Sequence, residues 1–291
     1  WGNGVYKSMD QGESWTSIGL EKTFHIARVI IHPNNSNIVY VAALGNLWDA
    51  SKERGVYKTT NGGRSWKKIL YIDDETGVVD LSIDINDPST LYAATYQRMR
   101  KTWGFNGGGS GSGIYKTIDG GKSWKKILSV KHEKIHVGVT DLVMDPRDPN
   151  VLYAASYQRI RRPWGFSNAG PKSGIYKTTD GGKKWVKLST GLPSGLLGKI
   201  GLAIYPNDPD ILYAIIEDAN SPEMTFNERW IEIQNCKPSS KHTVGNIVYR
   251  SDNAGITWYQ ASEGNVGGRP NYYGQIIVDP NNDKIVYVLS E

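Results

Sequence analysis

The sequence predicts an all-β chain of four-stranded antiparallel blades, a β-propeller, and three observations carry that prediction. An eleven-residue segment recurs five times, a second apolar pattern recurs between its copies, and the composition suits many short strands. There are 17 Tyr, 10 Trp, 33 Gly and 13 Pro against only 4 Phe. That mixture favours strands joined by tight turns and excludes collagen and disorder.

The first repeat reads VYKSMDQGESW (5–15), VYKTTNGGRSW (56–66), IYKTIDGGKSW (114–124), IYKTTDGGKKW (175–185) and VYRSDNAGITW (248–258). Its closing Trp residues stand 51, 58, 61 and 73 residues apart, so a fixed core carries loops of varying length. Each copy is a strand bearing Tyr-Lys or Tyr-Arg, a turn rich in Asp, Asn and Gly, and a strand opened by Trp. The second repeat reads RVIIHPNNSNIVYVA from Arg28, DLSIDINDPSTLYAA from Asp80, DLVMDPRDPNVLYAA from Asp141, GLAIYPNDPDILYAI from Gly201 and QIIVDPNNDKIVYVL from Gln275. Apolar alternation, a Pro/Asn/Asp turn and a second apolar run make this a hairpin as well. Two hairpins per repeat give strands A, B, C and D of one blade.

The S/T-x-[DN]-x-G-x-x-W string resembles the Asp-box (BNR) motif of β-propellers. Asp10, Asn61, Asp119, Asp180 and Asn253 are expected to bond backbone amides of their own turns, with Trp15, Trp66, Trp124, Trp185 and Trp258 packed beneath. Two of these five are neutral amides, a poor choice for a hard cation, so a structural staple is favoured over a calcium site and no metal is expected. The wording around the repeats, GVYKS, HIARVIIHP, IVYVAALGNLW, GVVDLSID and YAATYQRMR followed by WGF, is similar to the bacterial sortilin N-terminal (VPS10-like) propellers often labelled glycosyl hydrolase. The resemblance implies an extracellular, cell-surface or periplasmic protein, with more blades than five.

Residues 1–291 are therefore expected to form a single propeller segment of about five blade repeats, the first and last incomplete, with an insertion over 216–246. The remaining blades would belong to the same protein or to a partner chain. A five-bladed ring closed by pairing residues 5–7 with 285–289 is the alternative. Residues 77–125 and 138–186 align without a gap at an offset of 61, as though one blade had been duplicated. Within the insertion, Ser221-Pro222-Glu223 reads as a helix start, and Phe226, Trp230 and Ile233 would form one apolar stripe of a short helix over 221–234.

The net charge of +5 is modest, and the Lys residues sit at repeated turn positions, which argues against a nucleic-acid partner. No run approaches the roughly 20 apolar residues of a membrane span. The one cysteine, Cys236, excludes an internal disulfide and reads as an inert thiol. Of the five His residues, His132 and His136 share a loop between blades, the only spacing that suggests a metal. No cofactor is expected.

In such blades the B–C and D–A loops share one face, opposite the repeated turns. The B–C loops are rich in Trp, Arg and Gly, and Trp48, Trp103, Phe105, Trp164 and Phe166 are suited to stacking on a sugar or holding a peptide side chain. Arg98, Arg100, Arg159 and Arg161 are suited to forking onto carboxylates. Because Gln-Arg-x-Arg and Trp-Gly-Phe recur at the same repeat positions, a shared structural role competes with a ligand role. The inner strands present Arg28, Asp80, Asp141, Gly201 and Gln275 at one aligned position of the channel. A glycosidase needs two carboxyls about 5–10 Å apart, and Asp80 with Asp141 is the one pair the repeats offer. The same pair is also suited to bonding the next blade's backbone or Arg28. Two functions follow: a non-catalytic propeller binding a protein, peptide or glycan through the B–C and D–A loops, and, as the alternative, a xyloglucanase-like or sialidase-like glycoside hydrolase using channel carboxylates.

Overall fold

The computed structural model describes residues 2–132, 135–237, 239–264, 266–267 and 274–289. It opens with a hairpin of β1 (Tyr6–Lys7) and β2 (Thr16–Ser17). Four antiparallel blades follow, each with its strands in the predicted A-B-C-D order. The first full blade comprises β3 (Ile26–His32), β4 (Asn35–Ala43), β5 (Gly55–Thr59) and β6 (Lys67–Leu70). The second has β7 (Thr76–Ile83) and β8 (Leu91–Lys101), a short β9 (Gly104–Gly107) folded back on β8, then β10 (Gly113–Thr117) and β11 (Lys125–Leu128). The third pairs β12 (Val130–His132) with β13 (Ile135–Met144), continues through β14 (Leu152–Tyr157), sets aside a hairpin of β15 (Ile160–Arg162) and β16 (Gly165–Ser167), and closes with β17 (Gly174–Thr178) and β18 (Val186–Lys187). The next comprises β19 (Leu197–Ile204), β20 (Leu212–Asp218), β21 (Gly245–Ser251) and β22 (Tyr259–Gln260), and a last hairpin pairs β23 (Gln275–Asp279) with β24 (Asn282–Leu289).

Inner strands β3, β7, β13, β19 and β23 adjoin one another in that order around a channel. Apolar clusters fill the gaps between blades, as with Tyr92, Ala94, Ile114, Val139 and Leu142 between the second and third. The repeated turns explain their own consensus. Thr117 Oγ donates to Asp119 Oδ1 (2.7 Å), which also accepts the Lys122 and Ser123 amides at 2.9 Å. These bonds hold the Asp119 carboxyl below the usual range, the Ser123 hydroxyl contributing most. The motif glycine is needed twice over. Gly121 has φ +90°, and a Cβ there would lie 2.4 Å from Ile69 Cδ1 of the preceding blade. Trp66 donates from Nε1 to Ile18 O (2.6 Å), tying one blade to the hairpin before it.

Two expectations are revised. The helix is α1 (Phe226–Gln234), capped by Thr225 with Glu228 in a reciprocal box, so it begins later than Ser221. Thr225-x-x-Glu228 satisfies the free amides better than Ser221-Pro222 does. Of its expected stripe, Ile233 is buried and Trp230 packs beside it, but Phe226 stays largely exposed. The Trp-Gly-Phe segments are also not simple loops. Phe105 of β9 pairs with Arg161 of β15, so β8, β9, β15 and β16 form a ribbon that bridges two blades. Among the described residues β1 pairs only with β2 and β24 only with β23, and no ring closes through them. No helix among the described residues is long and apolar enough to cross a membrane.

Candidate functional site at the channel mouth

The inner strands enclose a cavity of about 560 Å³ lined by Arg28, Asp80, Thr140, Asp141, Lys199 and Gln275, among others. Four of these hold the predicted channel position. Each of the first inner strands shifts register just before it, between Ile26 and Arg28, Val78 and Asp80, and Val139 and Asp141. Such bulges re-aim a side chain out of the pleat, here toward the axis.

Asp80 and Asp141 strap blades together. Asp80 Oδ1 accepts Arg28 Nε at 2.6 Å and its Oδ2 accepts the Leu142 amide of the next blade at 3.1 Å. Asp141 Oδ1 accepts the same Leu142 amide at 2.9 Å, and Oδ2 accepts Leu202 N of the following blade at 2.9 Å. Burial first, and then the neighbouring Asp80 carboxylate in hydrogen-bonding contact, push the Asp141 carboxyl well above the usual range. Between them the two carboxyls thus make the bonds to Arg28 and to the next blade's backbone that the sequence also suggested for them.

The four predicted arginines fall into two groups. Arg100 stacks over Trp48 at 4.7 Å, and Arg161 over Phe166 at 5.5 Å. Arg159 lies 4.6 Å from the centre of the Phe105 ring, and Phe105 is 6.5 Å from Tyr96. Arg98 and Arg159 act electrostatically on Tyr96 and repel each other. Their Nε atoms, Tyr96 Oη and Thr140 Oγ1 are shut off from solvent and have no hydrogen-bond partner among the described residues.

A second cleft of about 560 Å³ lies outside this cluster on the β9–β15 ribbon, lined by Glu75, Trp103, Phe105, Arg161 and Trp164. Trp103 is 67% exposed and Trp164 72%, although Trp164 Nε1 donates to Asn235 O (2.9 Å) at the end of α1. Trp48 and Arg100 form a separate stack, outside both cavity linings. Cys236 is buried, and burial raises its thiol above the ordinary value. The side chains of His132 and His136 lie outside the described residues, among which no His, Cys, Asp and Glu cluster suits a metal.

Sequence reasoning missed Lys199 and Glu217, and the missed signal was a break in the repeat. Val78 and Val139 precede the channel aspartates by two residues; Lys199 stands there in the fourth copy. Tyr96 and Tyr157 occupy the fourth position after the strand tyrosines Tyr92 and Tyr153; Glu217 holds that place after Tyr213. The Glu217 carboxyl sits against Gly198 and accepts Lys199 N–H at 3.2 Å. Burial pushes it up to about 7, against the pull of that amide and of Arg159, Lys199 and Arg229. Burial likewise lowers the Lys199 ammonium, with Asp141 opposing.

No family model matches the chain. An oligoxyloglucan-reducing end-specific xyloglucanase of Emericella nidulans is 23% identical over 302 residues, covering 96% of this chain. The chain spans 31% of that protein's length. Among solved structures, an ancestral GH74 enzyme superposes with a TM-score of 0.65 at 22% identity, over 97% of this chain and 31% of its own. The GH74 xyloglucanase of Xanthomonas campestris superposes with a TM-score of 0.58 at 15% identity, over 99% and 48%. These likenesses show the β-propeller fold.

Proposed function

We propose that the chain belongs to a polysaccharide-directed propeller, a glycoside hydrolase of the xyloglucanase-like kind, with the glycan lying across the B–C face. The observation that carries this reading is the pair of exposed indoles, Trp103 and Trp164, lining one cleft beside the channel mouth. Flat apolar rings open to solvent suit the CH faces of sugars, and exposing two in one cleft is costly without a ligand. The sequence likeness to a xyloglucanase favours the hydrolase over a non-catalytic binder, for which no comparison speaks. Glu217, which holds its proton near neutrality, is the carboxyl suited to proton donation; Asp80 and Asp141 are suited to joining blades. A polymeric substrate and the sortilin-type repeat wording both favour an extracellular or cell-surface station.

The test is oligosaccharide binding by calorimetry beside reducing-sugar release from plant polysaccharides. Trp103→Ala and Trp164→Ala are each expected to weaken binding about tenfold, as truncated aromatic anchors do, with the melting temperature little changed. Glu217→Gln is expected to retain binding and lose turnover. Binding that survives both Trp substitutions, or no glycan binding at all, would refute the reading.

A further inference from the structure

Several described arginine side chains show no hydrogen bond or ion pair, Arg64, Arg100, Arg161 and Arg162 among them, but Arg98 and Arg159 are the two near the channel mouth whose Nε atoms are also shut off from solvent. Arg54, the most deeply buried, donates to Leu44 O, Asn46 O and Asp49 O. Arg28 pairs with Asp80, Arg147 with Asp145 and Asp210, Arg229 with Glu232, and Arg250 with Asp252 and Asp283. The guanidinium groups of Arg98 and Arg159 have neither a hydrogen bond nor an ion pair among the described residues, and that of Arg159 lies against the Phe105 and Phe166 rings. Their Nε atoms are nonetheless removed from water, and each guanidinium feels the other's charge. Lys199 adds a third cation to the same neighbourhood. Like charges gathered in a half-buried cluster, beside the unpartnered hydroxyls of Tyr96 and Thr140, are unfavourable unless an anion completes them.

We propose that the channel mouth is a receptor for an oxyanion carried on a sugar ring, held by the guanidinium groups of Arg98 and Arg159 and the ammonium of Lys199. This rests on the reading of the B–C face as a glycan site, and it makes the substrate an acidic glycan. The planar forks of two arginines match a carboxylate or a sulfate ester, and the Tyr96 hydroxyl supplies a further donor. Phe105, stacked on Arg159 and near Tyr96, offers an apolar surface for the ring that bears the anion. Glu217 cancels the cations only in part, because burial raises its carboxyl to about 7 and its Oε2 is engaged by the Lys199 amide. The repeat supports a ligand role: Arg98 and Arg159 recur, but Lys199 replaces the valine of neighbouring blades.

Calorimetry with a galacturonate trimer, a sulfated oligosaccharide, a neutral xyloglucan oligosaccharide and inorganic sulfate alone tests the proposal. The better acidic oligosaccharide is expected to bind at least tenfold more tightly than the neutral one. That gap should shrink with added salt and vanish in Arg98→Gln and Arg159→Gln. Preference for the uronate or for the sulfated sugar identifies the oxyanion. Should an arginine variant fail to fold, Lys199→Val, which restores the repeat residue, carries the same expectation. Equal affinity for neutral and acidic sugars would overturn the proposal while leaving the glycan reading intact. Binding of inorganic sulfate as tight as that of either acidic sugar would also overturn it, since no sugar would then be recognised. If no oligosaccharide of any charge binds, both readings fall.

Discussion

Single residues decide what the channel mouth can do, and most of them declare themselves by departing from the repeat. Arg28, Asp80, Asp141 and Gln275 were legible in the sequence because the hairpins align. Their consequence was not, since contact between Asp80 and Asp141 depends on bulges that move each side chain toward the axis. Glu217 was illegible for a different reason: a carboxylate in a strand reads as solvent-facing until the packing of the next blade is known. Its raised pKa has a testable sign. A carboxyl whose folded value, about 7, exceeds the unfolded one binds more protons in the native state. The Glu217 contribution to native stability is therefore fully present below about pH 4.3, the unfolded Glu value, and is lost as pH rises through about 7. Asp141, also raised, acts in the same sense. Thermal melts at intervals between pH 4 and 8 should show the wild type losing stability relative to Glu217→Gln as pH rises. An equal slope in both would place the proton elsewhere.

At the scale of elements, strands and turns were readable because each is coded locally. Asp, Gly and Trp at fixed offsets build one turn, and the structure shows why each residue type is required. The β9–β15 ribbon was harder to foresee, because its pairing joins segments 56 residues apart, Phe105 and Arg161, through short Gly-containing strands. The start of α1 moved for a local reason, the reciprocal cap of Thr225 and Glu228. The turn glycines carry the clearest prediction at this scale. Gly121→Ala forces a β-carbon into a left-handed backbone position and against Ile69. A loss of about 1–3 kcal/mol in urea unfolding is expected from strain and overpacking combined. A neutral effect would mean that the turn can relax away from the preceding blade.

At the scale of the whole molecule, the fold was legible because five copies of one pattern leave few alternatives to a propeller. Less legible was how the two ends present themselves. The outermost sheets leave Val29, Ile31, Ile277, Ile285, Tyr287 and Leu289 exposed, whereas equivalent rows between blades are buried. Apolar rows of this kind suit contact with a further sheet, from the same protein or from a partner. The face we propose as functional is the end opposite the repeated turns, where the Arg98, Arg159, Lys199 and Glu217 group and the Trp103–Trp164 cleft lie. A crystal structure of the chain soaked with its tightest-binding oligosaccharide tests that assignment most directly. Sugar rings stacked on Trp103 and Trp164 and reaching toward Arg159 are the expected result. Sugar bound at the repeated-turn face, with the indole cleft empty, would contradict it.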